Sequence, residues 1–264
     1  MSAAKPDSPL LSIVIPAYNE ARRLPRTLSI IKEYIARQPF VIELLVADDG
    51  SSDTTAQIAT AAGTRVLHLD HRGKGFAVRA GALAACGDYI LLCDADLATP
   101  IEEWEKLWPH LQHGAAVVIG SREGIGAQRI GEPWYRHVMG RVFNFLVHII
   151  ALRGIQDTQC GFKAMRHDVA HDLFNRVRIY GENARPVQGA AVTAYDVELL
   201  FLAQQCGYSI VEVPVVWHYG EETKVDPLRD SLRNLRDVIQ VRLNAWRGLY
   251  RNPVPPHSQR SRMG

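Results

Sequence analysis

Hydrophobic and polar residues alternate in blocks along the first half of the chain. Short runs rich in Val, Ile and Leu, which are typical of buried strands, lie at 11–15, 41–47, 65–69, 89–93 and 115–119. Apolar residues at helical spacing predict intervening helices at 20–36, 54–62, 75–85 and 100–110. Strands that alternate with helices form mainly parallel sheets. The sequence therefore predicts an α/β fold of the Rossmann-like type, with helices on both faces of a central sheet.

The second half is less regular. Its pattern predicts a strand at 209–216, a polar loop at 157–163, and helices at 135–152, 167–175, 196–206 and 228–250. Arginines flank the apolar stripe of the last helix, so it is expected either to lie on an anionic bilayer or to pack against the core. We expect one domain over 10–250, with a flexible leader at 1–9 and a disordered tail at 251–264.

Composition narrows the classes of protein. The 264 residues are 47% hydrophobic and 22% charged, which fits a globular domain with a sizeable core. The net charge of +2 argues against a nucleic-acid partner. No apolar run reaches the roughly 18 residues of a membrane-spanning helix. The four cysteines form no C-x-x-C pair, so we expect no zinc site and a reducing, cytoplasmic location.

Two acids follow the predicted strand 89–93. Asp94 and Asp96 are separated by one residue, so both carboxylates can turn toward one cation. Hard oxygen ligands suit Mg²⁺ or Mn²⁺, which commonly share coordination with substrate phosphates. The alternative is a capped loop with two solvated acids. The other polar clusters at neighbouring strand ends favour the metal site, because ligands bind at the carboxyl ends of parallel strands.

Those clusters predict a binding site for an anionic ligand. Asp48 and Asp49 end the second strand and could accept hydrogen bonds from a base or a ribose. Lys74 and Gly75 open a helix whose N-terminus attracts anions, and glycine permits close backbone approach. The segment 16–20 adds an aromatic ring and a carboxylate at the first strand end.

Six motifs then follow one another in a characteristic order: IVIPAYNE, VADDGSSD, RGKG, DYILLCDADLATP, VIGSR and DTQCGFK. In this the chain resembles the inverting family 2 glycosyltransferases. More narrowly, it is similar to the dolichyl-phosphate β-glucosyltransferases and the polyprenyl-phosphate mannosyl- and glucosyltransferases. The resemblance covers roughly residues 10–245. It implies the GT-A fold, with a nucleotide-sugar half at 10–122 and an acceptor half at 123–250.

The resemblance also implies roles for individual residues. Those expected around the nucleotide are Pro16, Tyr18, Glu20, Asp48, Asp49, Lys74 and Gly75. Asp94 and Asp96 would hold the metal and the diphosphate. Those expected around the acceptor phosphate and the sugar are Arg122, Arg136, Asp157, Gln159, Asp196, Glu198 and Lys224. Asp196 and Glu198 could act either as a base or as positioners of sugar hydroxyls, and Asp196 could simply cap a helix.

A phosphate-bearing acceptor also agrees with the chemistry of these residues. A phosphate monoester has a second pKa near 6, so it is already anionic at pH 7 and needs no general base. It does need positive charge to approach a donor diphosphate, and the two arginines and Lys224 could supply it. The alternative for each of these cations is an ordinary surface position.

The expected reaction is transfer of a hexose, with inversion, from UDP-glucose to a polyprenyl phosphate. The resemblance of the DTQCGFK and DVE segments to the glucosyl branch favours glucose. Alternatives are a GDP-mannose-dependent mannosyltransferase, a family 2 transferase with a soluble acceptor, and a silent nucleotide-sugar binder. A lipid acceptor implies peripheral contact with the membrane, on its cytoplasmic face.

Overall fold

The computed structural model describes residues 8–189, 194–220 and 227–251, with residues 227–232 described by backbone alone. The strands are β1 Leu11–Ala17, β2 Ile42–Asp48, β3 Arg65–His68, β4 Tyr89–Leu92, β5 Val117–Ser121, β6 Gln128–Ile130, β7 Lys163–Arg166, β8 Ile210–Pro214 and β9 Val216–His218. The helices are α1 Leu24–Ala36, α2 Thr55–Ala61, α3 Lys74–Ala84, α4 Trp104–Gln112, α5 Trp134–Ile150, α6 His167–Arg176, α7 Tyr195–Gln205 and α8 Pro227–Trp246.

Within the described residues, seven strands form one sheet in the order β3-β2-β1-β4-β7-β5-β8, and β6 pairs with β9 in a small second sheet. Strands β1, β2, β3 and β4 are parallel neighbours, as are β5 and β8. This confirms the predicted α/β fold with a mainly parallel sheet. The carboxyl ends of β1, β2 and β4 therefore lie along one edge, where the motifs of the nucleotide half meet.

Strand β7 was not predicted, and the predicted polar loop ends one residue earlier than expected because Lys163 begins this strand. It runs antiparallel between β4 and β5, with Lys163 opposite Leu92 of β4 and Ile119 of β5. An antiparallel strand begins where its parallel neighbours end. The first residue of β7, and the segment before it, consequently lie at the functional edge of the sheet. The predicted strand 209–216 is also corrected, because it divides into β8 and β9.

The two faces of the sheet bury separate clusters, as the period-two alternation of strands requires. Val14, Leu45 and Ile90 face one cluster, whose helical side comes from α3, α5, α6, α7 and α8. Ile13, Leu44 and Leu91 face the other, which is covered by α1, α2 and α4. The result is a helix–sheet–helix layering in which the edge of the sheet alone is left open for a ligand.

Helix α5 differs from its neighbours in what it leaves exposed. Of its residues, only Phe143 and Val147 are buried. Its exposed large apolar side chains are Trp134, Tyr135, Val138, Met139, Val142, Phe145 and Ile149. Among the helices described, none has the length and hydrophobicity required to span a bilayer.

Some predictions fall outside these ranges. Most of the predicted leader and tail lie there, at 1–7 and 252–264. Lys224 lies there too, so its role as an acceptor cation stays a prediction. The division into halves at residue 122 is likewise still a prediction.

Candidate active site

A cleft of about 360 Å³ opens at the carboxyl edge of the sheet. Eight of the residues singled out in the sequence line it, namely Lys74, Asp94, Asp96, Arg122, Arg136, Asp157, Gln159 and Asp196. They come from α3, the β4–α4 loop, the end of β5, α5, the segment before β7, and α7. Residues distant in the chain thus meet because their strands end at a common edge.

Asp94 and Asp96 stand at the end of β4 with opposite electrostatic surroundings. Lys74 Nζ lies 2.6 Å from Asp94 Oδ1. Burial raises the pKa of Asp94, but the charge of Lys74 and its hydrogen bond outweigh burial, so the pKa lies below its usual value. The pKa of Asp96 is raised, first by burial and then by the negative charge of Asp94. Two carboxylates that repel each other gain from a shared cation.

The donor set therefore fits Mg²⁺ or Mn²⁺. Both groups are hard oxygen ligands, and they act as a pair, since no set of three or more His, Cys, Asp or Glu that could hold a metal occurs among the described residues. Two carboxylates suit a metal that completes its coordination with water and substrate phosphate. Asp94 and Asp96 would hold that metal.

Gly161 leaves the space that the Asp94 carboxylate occupies. A Cβ built at Gly161 would overlap the carboxylate of Asp94. No other residue type fits there without displacing the carboxylate. The sequence analysis included this glycine in a motif but assigned it no function.

Replacing Gly161 tests this contact. We expect Gly161→Ala to push Asp94 aside and lower kcat/KM about 10²-fold, because a displacement near 1 Å at a reacting centre costs that much. The measurement is glycosyl transfer, or donor hydrolysis, at saturating Mn²⁺. Gly220→Ala is the matched control, since a Cβ at Gly220 meets no described residue within 4 Å. Equal rates for the two variants would contradict the assignment.

Arg122 and Asp157 form a bidentate pair at the cleft wall. Arg122 Nε lies 2.7 Å from Asp157 Oδ2, and Nη2 lies 2.9 Å from Oδ1. The backbone N–H of Arg122 also donates to Oδ2, at 2.9 Å. Burial raises the pKa of Asp157, but the Arg122 charge and these hydrogen bonds outweigh burial and hold the pKa far below the usual value. The guanidinium also lies over the Trp217 ring, 5.2 Å from its centroid.

Arg136 is the more available arginine. Its guanidinium lies over the Tyr219 ring at 5.4 Å, and its Nε is buried without a hydrogen-bond partner among the described residues. The nearby acids Glu123 and Glu132 pair with Arg129 instead, at 2.6 and 2.7 Å. Arg136 can therefore offer an N–H fork to an anion in the cleft.

The part of the site that is predicted to bind the nucleotide lies at the ends of β1 and β2. Asp49 accepts hydrogen bonds from the backbone N–H groups of Arg72 and Gly73, at 2.9 and 2.8 Å. It thereby holds the loop that carries Lys74. Asp48 is 4% exposed, and its Oδ1 is buried with no hydrogen-bond partner among the residues that the structure describes. That oxygen is free to accept an N–H from a base.

Three further predicted nucleotide residues are arranged around this point. Tyr18 stacks on His71, with ring centroids 3.8 Å apart. Glu20 pairs with Arg23 at 2.7 Å, and Arg23 lies 4.0 Å from Asp96. Pro16 is buried within β1. These side chains adjoin the cleft without lining it, so a role in binding the nucleotide stays a prediction.

Gly75 has a packing role that the sequence did not indicate. A Cβ there would lie 2.6 Å from the Tyr180 ring and 2.8 Å from Tyr195 Cβ. The residue that takes a positive φ at the start of α3 is Gly73, at 95°. Gly73 is thus the turn residue of the loop, and Gly75 allows α3 to approach α7.

Glu198 does not line the cleft. It is fully buried, and its carboxylate accepts from the backbone N–H groups of Arg178 and Ile179 and from the Tyr250 hydroxyl, at 2.8, 3.1 and 2.7 Å. Burial raises its pKa. The geometry gives Glu198 a structural role, in which it ties α7 to two chain segments, and corrects the catalytic role that the sequence predicted.

Lys163 is a charged residue of the site that the sequence analysis missed. Its side chain is fully buried and pairs with Asp196, which opens α7 and lines the cleft. The motif DTQCGFK contains Lys163, but a lysine at the end of a predicted polar loop is expected to be exposed. Only the pairing of β7 between two buried strands places it inside.

Comparison with known proteins shows the family of this chain. The profile of the family described as "Glycosyl transferase family 2" matches residues 12–174. Dolichyl-phosphate beta-glucosyltransferase of Homo sapiens is 34% identical over 93% of this chain and 79% of that protein. The Saccharomyces cerevisiae protein of that name is 33% identical, over 92% and 77%.

Solved structures show the same fold. Glucosyl-3-phosphoglycerate synthase from Mycobacterium tuberculosis, solved with Mn²⁺, UDP and glucosyl-3-phosphoglycerate, superposes with a TM-score of 0.62 at 22% identity, over 91% of this chain and 80% of that one. Mannosyl-3-phosphoglycerate synthase from Rubrobacter xylanophilus gives a TM-score of 0.65 at 21% identity, over 91% and 76%. These neighbours confirm the predicted GT-A fold. By its family profile and its relatives, the chain belongs to glycosyl transferase family 2 and is a glycosyltransferase.

Proposed function

We propose that the protein transfers glucose from UDP-glucose to a polyprenyl phosphate, with inversion at the anomeric carbon and with Mg²⁺ or Mn²⁺ as cofactor. Relatives at 33–34% identity that are named dolichyl-phosphate beta-glucosyltransferase support the donor and the acceptor class. The observation that carries the proposal is that helix α5 lines the cleft with one face and exposes apolar side chains on another. Arg136, Met139 and Phe143 of this helix line the cleft, while Phe145 and Ile149 stand in solvent. One helix thus offers both a phosphate site and an apolar surface.

The donor would lie along the carboxyl edge of the sheet. Asp48, with its unpaired buried oxygen, is placed to accept an N–H of the base. Lys74 lies at the start of α3 beside Asp94, where a diphosphate would come. A metal bound by Asp94 and Asp96 would neutralise the charge that develops on the departing diphosphate.

The acceptor phosphate would enter from the α5 side. Its oxygen attacks the anomeric carbon, a new carbon–oxygen bond forms, and the bond to the donor β-phosphate breaks, so UDP leaves. Arg136, together with the N–H groups of Arg122 that do not bond Asp157, would hold the phosphate and reduce its repulsion from the donor. Asp157 orients Arg122 for this task. No proton has to be removed, because the phosphate is already ionised near pH 7.

The apolar face of α5 would meet the membrane that holds the acceptor. Trp134, Phe145 and Ile149 are 78%, 64% and 67% exposed. Side chains of this size, exposed on one helix that borders a cleft, are typical of a membrane or partner contact. Peripheral contact at this face would let the lipid tail stay in the bilayer while its phosphate reaches Arg136.

An incubation with labelled UDP-glucose and Mn²⁺ tests the proposal. We expect label in the lipid fraction when undecaprenyl phosphate is supplied in vesicles. The double variant Phe145→Ser/Ile149→Ser should lose at least about 10-fold of this activity, because each apolar side chain contributes about 1.5–3 kcal/mol when buried. With a short, water-soluble prenyl phosphate the same variant should match the wild type.

Other outcomes identify the alternatives. Transfer from GDP-mannose in preference to UDP-glucose would replace the proposed donor. Transfer to phosphoglycerate but not to either prenyl phosphate would reject the lipid acceptor. Equal loss of activity with both prenyl phosphates would contradict the membrane contact and point to a folding defect.

A further inference from the structure

The Lys163–Asp196 pair stands apart from the other charges of the cleft because of its burial. The Lys163 side chain is 0% exposed and that of Asp196 is 7% exposed. The ammonium donates hydrogen bonds to the Cys160 carbonyl and to Asp196 Oδ1. By contrast, the side chains of Lys74 and Asp94 are 35% and 32% exposed. The reaction described above makes no use of the buried pair.

Burial of this pair is costly unless it has a function or very good geometry. Each ion loses its hydration, and removing one partner would leave the other buried and uncompensated. An apolar pair of similar volume could fill the same space, and a protein with such a pair is commonly as stable as one with the buried ion pair, or more stable. The pair also fixes the orientation of the Asp196 side chain, which lines the cleft.

Asp196 lines the same cleft as Lys74, next to which a donor diphosphate would lie. It belongs to the first turn of α7, and the close packing of Gly75 on Tyr195 brings that turn against the start of α3. Lys74 Nζ lies 5.9 Å from the centroid of the Tyr195 ring. Lys74, which would contact the diphosphate, and Asp196 therefore lie in the same part of the cleft. A sugar attached to the diphosphate would present its hydroxyls to Asp196.

We infer that Lys163 is a positioning residue for the donor sugar: its ammonium engages Asp196 Oδ1 and so fixes the Asp196 side chain in the orientation in which it can accept a hydrogen bond from a sugar hydroxyl. The inference rests on the proposed nucleotide-sugar donor. It requires the sugar to be recognised through Asp196 and the nucleotide through other residues. Loss of Lys163 should then affect binding of the sugar and spare binding of the nucleoside diphosphate.

Calorimetric titration of Lys163→Met with UDP-glucose and with UDP, both with Mn²⁺ present, separates these effects. We expect affinity for UDP-glucose to fall about 10-fold, the order expected for loss of a hydrogen bond to a charged group, and affinity for UDP to stay within about twofold. Lys106→Met is the matched control, because Lys106 is half-exposed and pairs with Glu103 outside the cleft. Equal loss for both nucleotides, or no loss for either, would overturn the inference.

Two further variants keep the test decisive if Lys163→Met does not fold. Asp196→Asn retains an oxygen acceptor for Lys163, and Lys163→Met/Asp196→Asn removes both charges together. Both should bind UDP as the wild type does and lose the affinity for the sugar. If either keeps wild-type affinity for UDP-glucose, the inference is wrong.

The same measurements separate this inference from the proposed function. A wild-type protein that binds UDP-glucose but glucosylates no prenyl phosphate would reject the proposed function only, and the comparison of UDP-glucose with UDP would still decide the role of Lys163. A wild-type protein that binds neither nucleotide would reject both.

Discussion

Asp96→Asn should lower the transfer rate about 10³-fold while the protein remains folded. A metal at a departing diphosphate supplies several kcal/mol, and each 1.36 kcal/mol is a factor of ten in rate. The amide keeps an oxygen that can accept from the Ala98 N–H, now at 3.1 Å, so the local turn should persist. The measurements are kcat/KM for UDP-glucose and the affinity for Mn²⁺ by titration.

The control for this variant is Asp168→Asn, which removes an exposed acid that pairs with Arg166 on the surface. It should retain wild-type rate and Mn²⁺ affinity. If Asp96→Asn turned over within about tenfold of the wild type, the metal role of this carboxylate would be wrong, and Asp94 alone would have to bind the cation.

The largest effect on stability is expected from Asp157→Asn. Breaking a buried pair from one side costs about 3–5 kcal/mol, and Asp157 is buried while Arg122 is mostly so. Arg122 holds the pKa of Asp157 below its unfolded value, so this stabilisation is present above about pH 4 and is lost as the pH falls through the native pKa. Urea unfolding at pH 7 and at about pH 2.5, which is well below the unfolded pKa, measures both quantities.

The difference between wild type and Asp157→Asn should therefore shrink at the lower pH. Asp168→Asn again serves as the comparison, because a surface pair contributes at most about 1 kcal/mol. A deficit of the same size at both pH values would show that lost packing, and not the ion pair, explains it.

Most of the fold follows from features visible along the chain. Strands β1, β2 and β4 are mostly apolar segments, LSIVIPA, IELLVAD and YILL, and such segments are typical of strands buried on both faces. Their parallel alignment then places Asp48 and Asp94 on one edge. Strand β7 could not be found in this way, since KAMR has charged ends and no β-branched residue. Its two neighbours in the sheet, β4 and β5, determine it.

The position of a side chain in the cleft was predictable where that residue closely follows a strand. Asp94 and Arg122 are of this kind. The resemblance of the DVE segment assigned Glu198 to the site together with Asp196, whereas in space it is buried and accepts a hydrogen bond from Tyr250. The availability of Arg136 depends on which acids Arg129 engages, and that choice exists only in three dimensions.

The approach to β7 also constrains how this enzyme can vary. From Gln159 to Lys163 the side chains alternate. Gln159 and Gly161 line the cleft, and Lys163 pairs with Asp196 of the cleft. Cys160 and Phe162 pack in the hydrophobic cluster on the other face of the sheet. Gaining or losing one residue in this stretch would exchange the two sets and turn a thiol and a phenyl ring toward the substrate. Homologues that retain the reaction should therefore differ here by replacement and not by changes of length, whereas surface loops elsewhere are free to lengthen.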